Sequence, residues 1–127
     1  MKTPVSTSSS RHSTAAQQAA IDGVFRALSD PTRRDVLERL SARPASMSDL
    51  AAPYRMALPS FLEHMKVLEG CGLVHSEKKG RVRTYALAPE NFKVAEDWLG
   101  KQRKLWERRL DRLDAYLLEL KSKGEAK

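Results

Sequence analysis

The chain has 127 residues, 41% of them apolar and 31% charged, and its 23 Lys and Arg against 16 Asp and Glu give a formal charge of +7. That length suits one domain with a modest core, and no stretch approaches the ~18 consecutive apolar residues of a spanning helix, so no membrane role is expected. The basic excess puts polyanions first among partners, with nucleic acid ahead of a membrane surface. A single cysteine, Cys71, excludes an internal disulfide framework and fits a reducing cytoplasm.

Met1 to Thr14 is rich in Ser and Thr, lacks the apolar centre of a secretory signal, and reads as a disordered tail. From Ala15 to Leu28, Ile21, Val24, Phe25 and Leu28 recur three and four apart, which predicts an amphipathic helix. Ser29-Asp30-Pro31-Thr32 ends it and starts another. Asp30 can accept from the free amides of the next helix, and Pro31 takes a first-turn position where no N–H is required. The second helix, Pro31 to Ala42, is expected to bury Val36, Leu37 and Leu40. Ser46-Met47-Ser48-Asp49 has the form of a capping box with Asp in place of Glu, opening a short helix to about Ala52. A helix from Leu58 to Gly70 puts Leu58, Phe61, Met65 and Leu68 on its inward face, with Gly70 and Gly72 as stop residues.

The period then changes to two. Leu73 to Glu77 and Val82 to Leu87 flank Lys78-Lys79-Gly80-Arg81, a β-hairpin with a basic tip. Beyond Pro89 one helical run reaches about Ser122, roughly 50 Å at ~1.5 Å per residue, more than a domain of this size can cover. The order is that of a winged helix-turn-helix: mainly α, with four helices, a two-stranded wing and a long C-terminal helix. It divides into a tail (1–14), a DNA-binding unit (15–88) and a dimerisation helix (89–127) that frays at its end.

Val24-Phe25-Arg26-Ala27-Leu28-Ser29-Asp30-Pro31-Thr32-Arg33-Arg34 resembles the opening of ArsR/SmtB-type transcriptional repressors. Met47-Ser48-Asp49-Leu50-Ala51 is similar to their first turn-motif helix. His64-Met65-Lys66-Val67-Leu68-Glu69 with Gly72-Leu73-Val74 resembles the end of their recognition helix and the following strand, and Gly80-Arg81 with Tyr85 and Leu87 resembles their wing. The likeness spans about residues 21 to 88. It implies a homodimeric repressor that binds double-stranded DNA and pairs through its first and last helices. Metal sensors of that family often carry Cys-x-Cys on the third helix, or Asp and His ligands on the last. Ala45 to Pro53 and Glu90 to Lys127 hold neither Cys nor His, so no metal and no cofactor are expected. On the recognition helix, Leu62 and Glu63 stand where the family has small polar and basic or neutral polar residues. Glu63 would repel phosphate, yet a glutamate can accept from cytosine N4.

Candidate phosphate contacts are Arg55, Lys66, Lys78, Lys79, Arg81 and Arg83. Candidates for the groove are Ser60, Glu63 and His64, on the outward side opposite Phe61, Met65 and Leu68. The plainer readings are that wing cations keep a hairpin in solution and that His64 is a rim histidine. The family likeness favours the DNA reading. Cys71, at a helix C-terminus without a resolving partner, reads as an inert thiol.

The last helix carries Phe92, Ala95, Leu99, Trp106, Leu113, Tyr116 and Leu120 at alternating steps broken by Gln102 and Arg109, continued by Leu110 and Leu117. With the first helix this predicts a dimer interface of Ile21, Val24, Phe25, Leu99, Trp106, Leu113 and Leu117. Trp98 and Trp106 admit an apolar pocket for a small-molecule effector, but their helical spacing favours packing. No glycine-rich phosphate loop, nucleophile elbow or metalloprotease motif points to an enzyme. The alternative is a protein-interaction winged helix whose last helix binds a partner. Leu62 and Glu63 favour it, and the basic wing and Arg55 oppose it.

Overall fold

The computed structural model describes residues 14–125. Their elements are α1 (Ala15–Leu28), α2 (Pro31–Ala42), β1 (Ala45–Ser46), α3 (Met47–Ala51), α4 (Leu58–Gly70), β2 (Val74–Lys79), β3 (Val82–Leu87) and α5 (Pro89–Glu125). Thr14 apart, the tail expected over 1–14 lies outside the described residues, as do the last two residues, where fraying was expected. Thr14 closes a full capping box: its Oγ1 accepts from Gln17 N, and Gln17 Oε1 accepts from Thr14 N, both at 3.0 Å.

The corner between α1 and α2 is built as its sequence suggests and then reinforced. Asp30 Oδ2 accepts from Arg33 N at 3.0 Å, with Pro31 in the first turn. Burial raises the Asp30 pKa, but the Arg33 amide and the nearby His64 and Arg33 charges outweigh it and hold the carboxyl below its usual value. Two arginines at a helix N-terminus oppose the helix dipole. Here both turn back onto the open carbonyls ending α1, where positive charge is favourable. Arg33 donates to Ala27 O at 2.9 Å and Arg26 O at 3.1 Å, and Arg34 to Leu28 O at 2.6 Å.

One core joins α1 to the wing: Val24, Val36, Leu50, Phe61, Met65, Leu68, Leu73, Val74 and Tyr85 are all buried in it. This corrects the expected interface, because Val24 is wholly enclosed within its own chain and Ile21 is also buried. Val24 faces its own core, and neither side chain is exposed on the single chain. Leu58 is corrected too, being 55% exposed rather than inward. Ala57 caps α4 and the first turn precedes the packed region, so Phe61 is the first side chain to reach the core.

The sheet is antiparallel in the order β1-β3-β2, with Ala45 opposite Tyr85 and Val74 opposite Leu87. β1 was not expected. β2 runs two residues further than predicted, so Lys79 pairs with Val82 and only Gly80-Arg81 form the loop. Gly80 has φ +62° and no described non-glycine residue has positive φ, the pattern of a type II′ hairpin turn. α4 ends in a Schellman motif: Gly72 N donates to Glu69 O and Leu73 N to Leu68 O, with Gly72 at φ +79°. Asn91 in the first turn of α5 donates to Cys71 O at 2.9 Å and locks that end.

The chain divides after Ala95 into two compact units. In the second, every residue from 103 to 124 is exposed, Trp106 to 65%. Among the described residues no helix is long and apolar enough to cross a membrane.

Candidate nucleic-acid interface

α3, the turn after it and α4 form the helix-turn-helix, and a polar clamp from α2 sets the turn. Arg39 donates to Leu50 O and Asp49 O, both at 2.8 Å, satisfying open carbonyls of α3. Its guanidinium also lies 5.7 Å from the Tyr54 ring centroid. The Tyr54 hydroxyl donates to Asp35, and its ring stacks on Phe61 at 5.4 Å. Burial, reinforced by the Asp35 carboxylate, pushes the Tyr54 pKa up, so the hydroxyl stays a donor. Sequence reasoning named neither Arg39 nor Tyr54 for this role. The available signal was the i,i+4 spacing of Asp35 and Arg39, between which the structure places a tyrosine.

His64 does not share the outward side with Ser60 and Glu63. Its side chain is 22% exposed, and Nδ1 lies 3.0 Å from Arg33 and 3.7 Å from Asp30 Oδ2. Nδ1 thus sits between a guanidinium and a carboxylate from the start of α2. The ring therefore braces α4 against the start of α2.

The remaining candidates are exposed. Glu63 and Lys66 pair at 3.3 Å on the outer face of α4. On the wing, Arg83 donates to Ser76 Oγ at 2.8 Å, and Ser76 donates to Glu69 Oε2 at 2.7 Å. That chain ties the hairpin to the recognition helix, a role for Ser76 and Glu69 that no sequence pattern signalled. A cleft of about 550 Å³ between α3, α4 and the wing brings Lys66, Lys78, Arg81 and Arg83 together, with Leu62 and Ser48 in its wall. Arg55, Ser60, Glu63 and Lys79 are exposed outside its lining. Neither Lys78, Lys79, Arg81 nor Arg55 has a side-chain partner among the described residues.

Among the described residues no three His, Cys, Asp or Glu side chains come together to hold a metal ion. Burial pushes the Cys71 thiol up, and its Sγ donates to Leu68 O at 3.4 Å. Trp98 and Trp106 line a shallow hollow with Leu99 and Arg103, all from α5. Of the residues expected at a dimer interface, Leu99, Trp106, Leu113 and Leu117 are each about half exposed or more, and Phe25 is partly buried.

Residues 28–77 match a family model described as a helix-turn-helix domain. The transcriptional repressor SdpR of Bacillus subtilis is 28% identical over 79 residues, covering 62% of this chain and 88% of that protein. A crystal structure of an ArsR family transcriptional regulator is 52% identical, with a TM-score of 0.67, over 69% of this chain and 91% of that one. An ArsR-like transcriptional regulator from Rhodococcus sp. RHA1 is 31% identical, with a TM-score of 0.66, over 78% and 93%.

Proposed function

The chain belongs to the ArsR family of transcriptional regulators, and on that premise we propose that it is a homodimeric repressor that blocks a promoter by binding operator DNA through α4 and the wing. The observation that carries this reading is the cleft where Lys66, Lys78, Arg81 and Arg83 converge beside an exposed helix face. A helix of this kind fits the major groove, and cations flanking it fit the phosphates on either side. In this reading Arg55, Lys78, Lys79, Arg81 and Arg83 hold phosphate, Ser60, Glu63 and Lys66 face the bases, and His64 keeps α4 in place.

The exposed stripe of α5 supports the dimer in this reading. One recognition helix reads only a few base pairs, so specificity requires two about one helical turn apart, ~34 Å. The row Leu99, Trp106, Leu113 and Leu120 repeats every seventh residue and is exposed in the single chain, which is the seam a second copy would cover. DNA in the cytoplasm is the partner, and the reading assigns no catalytic step. Fluorescence anisotropy with DNA from upstream of the gene itself, against scrambled DNA of equal length, tests it. Preference of at least a thousandfold is expected at physiological salt, as is usual for specific regulators. Equal affinity for both DNAs would refute the reading.

A further inference from the structure

An acid on the outer face of a recognition helix is an anomaly, since it must approach a polyanion. The structure gives Glu63 a partner: Lys66 Nζ sits 3.3 Å from Glu63 Oε2, both side chains are at least 70% exposed, and neither has another partner among the described residues. As a pair they are neutral, so they enter the groove without net repulsion. The lysine holds Oε2 and leaves Oε1 open as an acceptor. The unit therefore presents one acceptor beside one cationic donor on the same helix face.

The major-groove edges of base pairs differ in how well they match that pattern. A C·G pair offers the cytosine N4 amine at the end of its row, followed by two adjacent guanine acceptors, O6 and N7. An A·T pair places its N6 donor between the N7 and O4 acceptors, whose lone pairs face an approaching carboxylate. The first gives the carboxylate a donor with an acceptor on one side only and the ammonium two adjacent acceptors, whereas the second flanks the donor with an acceptor on both sides and offers the ammonium one. We infer that Glu63 and Lys66 together read one C·G base pair in each operator half-site, Glu63 accepting from cytosine N4–H and Lys66 donating to guanine.

This inference rests on the operator-binding reading, and one experiment separates the two. Full-length wild type, Glu63→Ala and Glu63→Gln are each used to select binding sites from random duplex DNA, with folding checked by circular dichroism. Wild type should enrich a two-fold symmetric site with one C·G column per half, preferred over A·T by roughly tenfold or more. In Glu63→Ala that preference should fall severalfold, leaving only the guanine contact of Lys66. In Glu63→Gln it should move toward A·T, because a carboxamide both accepts from N6 and donates to N7 of adenine. No enriched sequence with wild type would overturn operator binding itself. An enriched site whose columns are the same in Glu63→Ala would overturn the Glu63 assignment alone, as would a uniform loss of affinity for all sequences in that variant.

Discussion

Replacing Gly72 with Ala tests how the recognition helix is anchored. Gly72 has φ +79°, and a Cβ there would lie 2.4 Å from Asn91 Nδ2, well inside contact distance. Holding an L-residue in the left-handed region costs about 1–2 kcal/mol. Asn91 must also swing away and give up its 2.9 Å bond to Cys71 O, a loss of about 1 kcal/mol. Gly72→Ala should therefore destabilise the protein by about 2–3 kcal/mol. For a unit of this size that lowers the melting temperature by on the order of 10 °C or more. Urea unfolding at one fixed protomer concentration measures it, since the proposed dimer would make stability concentration-dependent. Asn91→Ala alone should cost about 1 kcal/mol, and the double variant should cost about 1 kcal/mol less than the sum of the two, because the same hydrogen bond is lost only once. A Gly72→Ala protein within ~0.5 kcal/mol of wild type, or strict additivity with Asn91→Ala, would refute the account.

Leu113→Glu should leave a folded monomer and lose operator binding with the dimer. Sedimentation equilibrium reads this, and a wild type that is monomeric at micromolar concentration yet binds its operator tightly would overturn the seam. Arg81, unlike Arg83, has no tether, so Arg81→Ala should reduce the slope of log affinity against log salt by about 0.9 if it holds one phosphate; an unchanged slope counts against the wing. Tyr54→Phe keeps the stack on Phe61 but removes the bridge to Asp35 and should cost about 1 kcal/mol in urea unfolding, so a neutral change would show that the clamp contributes nothing. Asp30→Asn keeps a capping side chain without the charge. Because the Asp30 pKa is lowered on folding, its contribution is complete above the unfolded value of about 3.9 and is lost as pH falls through the folded one. The stability gap to wild type should thus be full at neutral pH and close in acid, and a gap that widens on acidification would contradict this.

What was legible in the sequence was whatever short-range chemistry decides. Asp30-Pro31 carries its own cap, and the predicted bounds of α1, α2 and α4 match the structure because apolar spacing and stop residues mark both ends. β1 was invisible. Two residues carry no period, and Ala45-Ser46 is a strand only because Tyr85 and Thr84 lie opposite. Leu58 misled because spacing gives a face but not the depth at which packing begins. Arg33 and Arg34 left no pattern either, since their α1 partners are backbone carbonyls that look alike in any sequence, and Arg39 left only its i,i+4 spacing from Asp35. His64 has the same explanation: its spacing marks the side of the helix, while its direction is set by an arginine 31 positions earlier.

The Asn91 bond to Cys71 O joins the last residues of α4 to the first turn of α5. The helix proposed to read DNA and the first turn of the helix proposed to recruit a second copy therefore meet at one hydrogen bond over one glycine. The joint decides how firmly α4 is held, whereas base preference, in the proposed reading, belongs to side chains up to a dozen residues away. The two can diverge separately: a paralogue could loosen or tighten the seat of its recognition helix by altering Gly72 or Asn91, with every side chain that faces the bases left as it is.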